Sequence, residues 1–159
     1  MKRFGHWNPE VAVLEGLEAD GLFASLMAAG QDYAGWFSLM EQTEDFQTWG
    51  VAWVALKQAR ELIAAEAPQA RARDLALLAA AIAERLGDFY HPESVSDLKA
   101  LAYAATVAAS EPPGKGFMDA RLKHVSAAVA ALEKGSGEEA VAQEVWKLLS
   151  RVFTKAGPP

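Results

Sequence analysis

The sequence feature that most constrains the fold is a long apolar pattern with helical spacing, between residues 43 and 66. Its heaviest side chains recur at steps of three, four and seven residues: Phe46, Trp49, Trp53, Leu56 and Ile63. This spacing is the period of one buried helical face. Thr43 is a suitable cap for the first turn, and Pro68 ends the pattern. The stretch therefore predicts one long, uninterrupted central helix, against which the other helices pack.

The rest of the chain predicts more helices. Alanine, a strong helix former, makes up about a fifth of the 159 residues, and glycine and proline fall mainly at the ends of periodic runs. Short connections favour antiparallel packing of neighbouring helices. We therefore expect an all-α fold, an irregular bundle of about six to seven mostly antiparallel helices. Residues 1–159 are expected to form a single helical domain, with 1–7 as an amino-terminal arm and 157–159 as a carboxyl-terminal tail.

Short sequence signals predict where the helices begin and break. Caps, first-turn prolines and capping boxes mark helix starts, and glycine marks breaks. The predicted starts are Pro9, Glu44 and Glu138, the predicted capping boxes are Ser94 with Asp97 and Ser136 with Glu139, and the predicted break is at Gly21. These signals divide the chain into the helices of the expected bundle.

The composition indicates an ordinary globular chain, with 52% apolar and 23% charged residues. The absence of cysteine excludes disulfides, thiolate metal ligands and cysteine nucleophiles. The longest apolar runs, residues 75–83 and 100–109, are far shorter than the ~20 residues of a membrane-spanning helix. The first residues lack the apolar run of a signal peptide. We therefore expect a cytoplasmic protein without membrane association, and the alanine-rich composition favours a bacterial source.

The charges are distributed unevenly along the chain. Residues 4–56 hold eight carboxylates, no lysine or arginine, and nine of the fifteen aromatic residues. From residue 67 onward, eleven acidic and eleven basic residues cancel. The formal net charge of −6 argues against nucleic acid as a partner. Because folding does not require one third of a chain to lack cations, the asymmetry favours a surface that binds a basic protein.

The main functional hypothesis is a small helical protein without catalysis that binds another protein through an acidic, aromatic amino-terminal face. Tryptophan and tyrosine beside charged residues are typical of interaction hot spots. The residues predicted to contact the partner are Trp7, Glu15, Glu18, Trp36 and Glu41. Immunity proteins, secretion adaptors or chaperones, and phage-encoded inhibitors are of this size and acidity. The helical spacing of the aromatic residues is also typical of a core, and that alternative remains open.

Two further hypotheses come from other functional classes. The first is a helical enzyme or ligand-binding protein with an aromatic pocket near His91, lined by Trp36, Trp49, Trp53 and Glu93. No histidine pair with metal-ligand spacing, no phosphate-binding loop and no nucleophile motif supports a reaction, so we expect no metal and no cofactor. The second is a homodimer whose interface buries the aromatic stripes.

Overall fold

The computed structural model describes residues 9–66, 69–86, 90–109 and 117–155, which form seven α-helices and one 3-10 helix. The α-helices are α1 (Pro9–Ala29), α2 (Tyr33–Gln42), α3 (Trp49–Ala64), α4 (Gln69–Ala83), α5 (Pro92–Ala109), α6 (Phe117–Glu133) and α7 (Glu139–Lys155). This architecture confirms the all-α bundle expected from the sequence. Across the described ranges, no helix combines the length and the apolar character that crossing a membrane requires. The predicted arm and tail lie outside the described residues.

The helices pack mainly against their neighbours in the chain. The most extensive contacts join α3 to α4, α4 to α5, and α5 to α6, and α7 returns to pack on α5. α1 lies against α3, and α2 lies against α4. Alanines such as Ala55, Ala76 and Ala104 are fully buried, and such small side chains let the helix axes approach closely. Larger residues, Leu75 and Ile82 among them, fill the remaining space at the density of a protein interior.

The central helix, α3, is shorter than the sequence predicts. A 3-10 turn, Glu44–Phe46, follows Thr43, and α3 begins only after Thr48. Thr48 caps α3, since its side-chain oxygen accepts a hydrogen bond from the Val51 backbone N–H at 3.2 Å. Thr43 has extended backbone and makes no cap bond through its side chain. The predicted helix start at Glu44, and the uninterrupted helix from Thr43, are therefore wrong.

Helix α1 runs straight through the predicted break at Gly21, so that prediction is also wrong. The residues on either side share one buried face: Ala19, Phe23 and Leu26 lie at spacings of four and three residues and pack into the core. A single glycine costs an exposed helix only about 1 kcal/mol, which this packing exceeds. The predicted start at Pro9 is confirmed.

The turn between α6 and α7 is attached to α5 through Asp97. The Asp97 carboxylate accepts hydrogen bonds from the Ser136 backbone N–H at 3.0 Å and from the Ser136 hydroxyl at 2.6 Å. Asp97 therefore does not form the predicted capping box with Ser94, and α5 begins earlier, at Pro92. The Ser136 hydroxyl accepts from the Glu138 N–H at 3.2 Å, so the predicted box with Glu139 is not formed either. α7 itself begins within one residue of its predicted start.

Candidate functional site

An open groove of about 400 Å³ lies between α1 and the segment that leads into α3. We call it the acidic groove, and it is lined by Glu18, Leu22, Glu44, Asp45 and Thr48. Three of its five lining residues are carboxylates, one is apolar and one is a hydroxyl. Its charged lining residues therefore all carry the same sign.

Local structure explains why these residues meet. Glu18 and Leu22 are four residues apart on α1, so they lie on the same face of the helix. The 3-10 turn Glu44–Phe46 packs against α1 and presents its two carboxylates beside that face. Thr48 uses its oxygen to cap α3, which leaves its hydroxyl hydrogen available to a ligand. The groove thus forms because the helical pattern is interrupted by the 3-10 turn before α3 begins.

The carboxylates of the acidic groove differ from the carboxylates that form ion pairs elsewhere in the described structure. Glu18, Glu44 and Asp45 are exposed, and within the described residues none of them forms an ion pair. Other carboxylates are already paired, as Glu84 is with Lys99 at 2.7 Å and Glu144 is with Arg60 at 2.9 Å. The groove therefore keeps an uncompensated negative potential at its surface.

The structure brings one predicted partner-binding residue, Glu18, into the groove. Trp36 is a core residue with 1% exposure, which corrects its placement on a binding face. Glu41 is exposed but forms an ion pair with Arg85 at 2.9 Å. Trp7 lies outside the described residues, as does the side chain of Glu15, so those two remain predictions.

Arg71 of α4 and Arg85, which lies two residues after the end of that helix, cover aromatic residues of α2. The Arg85 guanidinium lies 4.8 Å from the centre of the Phe37 ring, and that of Arg71 lies 4.8 Å from the Trp36 ring. Such contacts are favourable because the ring face carries partial negative charge. Together with the Glu41–Arg85 pair, they compensate part of the amino-terminal acidity inside the molecule. The sequence does not reveal this compensation, because residue spacing does not show which helix Arg71 and Arg85 cover.

The alternative aromatic pocket near His91 is not supported by the positions of its rings. Trp36 and Trp49 are buried in the core, and Trp53 is half-buried and stacked on Trp49 with centroids 5.3 Å apart. His91 precedes α5 and is half-buried, while Glu93 is exposed in the first turn of α5. The helical spacing of these rings is therefore that of core packing.

Two further observations bear on the hypotheses. The described part of the chain contains no group of three or more His, Cys, Asp or Glu side chains arranged to hold a metal ion. The large apolar side chains that are exposed in it are Leu17, Leu122 and Trp146, none of which belongs to the predicted aromatic set. The aromatic stripes assigned to a homodimer interface are thus buried or half-buried within one chain.

Comparison of the chain with protein-family models, curated proteins and solved structures gives no significant match. The function is therefore inferred from the fold and from the acidic groove.

Proposed function

We propose that the protein is a non-catalytic interaction protein that binds a basic segment of a partner protein in the acidic groove. The observation that carries this proposal is the set of three exposed carboxylates, Glu18, Glu44 and Asp45, grouped around one concave surface without an ion pair among the described residues. Immunity proteins, secretion adaptors and inhibitors that act by occupying a basic surface are the classes that use such a site.

The groove has the amphipathic character that a lysine or arginine side chain requires. Leu22 is half-buried and offers an apolar surface to the aliphatic stem of such a side chain. The carboxylates around it suit the charged end, and the planar guanidinium of arginine can bond two carboxylate oxygens at once. The volume of about 400 Å³ is small for a ligand site, and it favours one or two long side chains of a loop over a whole helix.

Electrostatics also predicts how the complex forms. An exposed acidic surface attracts a basic partner over several ångströms and accelerates its association. Screening by salt weakens that attraction, because exposed charges are shielded beyond the Debye length of ~10 Å at 0.1 M salt. We therefore expect the affinity of the protein for its basic partner to fall as the salt concentration rises.

The test compares two variants with the same net charge. The groove variant carries Glu18→Gln, Glu44→Gln and Asp45→Asn, and the control variant neutralises three exposed carboxylates elsewhere, Glu61→Gln, Glu66→Gln and Glu133→Gln. The ligand is a synthetic arginine–serine repeat peptide, and affinity is measured by calorimetry. We expect the groove variant to bind on the order of tenfold more weakly than the control, since each exposed ion pair contributes about 0.2–1 kcal/mol. Equal affinity of the two variants would exclude the groove as the binding site.

A further inference from the structure

Helix α6 is attached to the rest of the molecule largely through one neighbour. It packs almost entirely on α5 and makes only slight contact with α7. In the part of α6 whose side chains are described, the fully or nearly buried residues are Ala128 and Ala131, while Leu122 is 54% exposed. Val125, Val129 and Leu132 are partly buried and also pack against the core. No side chain of residues 122–126 is fully buried, whereas Ala128 is, so this part of α6 buries less of its surface than the part around Ala128.

The carboxyl-terminal end of α6 is the firmly attached end. Ser136, just after the helix, donates two hydrogen bonds to the Asp97 carboxylate of α5, at 3.0 and 2.6 Å. Bonds to an ionised acceptor are stronger than those between neutral groups. Gly135 packs so closely on Asp97 that a side chain there would collide with the carboxylate. This end of α6 is fixed on α5.

Nearer the amino-terminal end, the contact includes a stacked pair of His124 and Tyr103. The two ring centres are 5.9 Å apart and the ring planes differ by 21°. The Tyr103 hydroxyl donates to Glu84 at 3.0 Å, and Lys99 pairs with the same carboxylate at 2.7 Å, so the tyrosine ring has a fixed position. His124 thus rests on a partner with a fixed position, nine residues before the end of α6, or about 13.5 Å along the helix at 1.5 Å per residue.

The surroundings of His124 disfavour a positive charge. Among the described residues, the charged and titratable groups of this region are Tyr103 and Lys99 on α5, Glu84 and Arg85 just after α4, Tyr33 on α2, and Lys123 beside His124 on α6. Glu84 is already paired with Lys99 and therefore gives an imidazolium little compensation. Burial, and next the charge of Lys123, lower the pKa of His124 from its ordinary value of 6.5. Near neutral pH the stack is accordingly formed by a neutral imidazole.

We propose that α6 is an acid-sensitive element of the fold: protonation of His124 loosens the amino-terminal half of α6 from α5, while the Asp97–Ser136 link keeps the other end attached. The direction of the pH dependence of docking follows from proton linkage. Docked His124 binds its proton more weakly than solvent-exposed histidine, so the undocked state takes up protons first as the pH falls. The contribution of neutral His124 to docking is therefore fully present above pH 6.5 and is lost as the pH falls through the lower pKa of the docked state.

The first measurement is made on the unaltered full chain. The His124 ring is titrated by NMR, and amide hydrogen exchange along α6 is recorded at about pH 7.5 and about pH 5, corrected for intrinsic rates. We expect His124 to titrate below 6.5. We also expect opening of residues 122–130 to increase about tenfold for each unit of pKa depression, without a matching change at residues 97–101 of α5. Titration at or above 6.5 would overturn the proposal, as it would mean that the tyrosine face stabilises the imidazolium.

Two variants separate this histidine from the others. His124→Gln should abolish the acid-dependent opening of α6, whereas His91→Gln should leave it intact, because His91 lies at the start of α5. Acid-dependent opening that persists in His124→Gln contradicts the proposal. If that variant does not fold, the titration of the unaltered chain still decides the question.

Discussion

At the scale of single residues, several polar and aromatic side chains find tertiary partners that the sequence does not reveal. Trp36 is an example: its indole N–H donates to the backbone oxygen of Gly30 at 2.9 Å, and its ring is buried. Gly30 is required there, because a Cβ would approach the indole Cδ1 to 2.8 Å. Sequence spacing correctly placed Trp36 on an apolar helical face. It could not show that this face meets the end of α1 and Arg71 of α4 instead of solvent.

Asp97 is another side chain with a distant partner in the sequence, and its hydrogen bonds to Ser136 predict an effect on stability. Asp97→Ala removes the acceptor of both Ser136 hydrogen bonds and should lower the free energy of unfolding by about 1–3 kcal/mol. Urea unfolding followed by circular dichroism measures the change. Asp20→Ala is the matched control, since Asp20 is an exposed carboxylate on α1, and it should change stability by less than about 0.5 kcal/mol. Equal effects of the two substitutions would contradict the role of Asp97.

At the scale of helices, the sequence predicts their existence better than their boundaries. Thr43 and Thr48 are both acceptable caps, and local rules do not choose between them. The structure uses Thr48, and Gln47 ties the connecting segment to α2 by donating from its side-chain amide to the Met40 backbone oxygen at 2.9 Å. That contact joins the connecting segment to a helix that precedes it, so periodicity within one helix cannot predict it. The acidic groove depends on this boundary, and local sequence signals alone therefore place Glu44 at a helix start and not in a site.

Replacing two glycines by alanine should change the stability of the protein in opposite directions. Gly21 lies within α1, and a Cβ added there meets no atom within 4 Å, so Gly21→Ala should stabilise the protein by about 1 kcal/mol through helix propensity. Gly135→Ala should destabilise it, because the new Cβ would collide with the Asp97 carboxylate. Thermal unfolding of the two variants tests both. A lower midpoint for Gly21→Ala would show that α1 is not continuous at that position.

At the scale of the whole molecule, the uneven charge is partly resolved by folding. Arg71 and Arg85 come from the balanced part of the chain, yet they pack on the cation-free part and compensate some of its charge. The sequence correctly indicated the all-α fold and an acidic amino-terminal region. Among the groove residues it identified only Glu18. The position of α4 in the fold decides which carboxylates form ion pairs, and the sequence does not show that position. The proposed binding site uses the negative charge that these two arginines do not compensate.

The most direct test of the central claim is to locate the bound peptide on the unaltered protein. The arginine–serine repeat peptide is titrated into isotopically labelled protein, and backbone amide shifts are followed by NMR. We expect the largest shifts at residues 17–22 and 44–48, which surround the acidic groove, and we expect these shifts to shrink as salt is added. Shifts centred on another surface, such as the exposed side of α7 around Trp146, would contradict it.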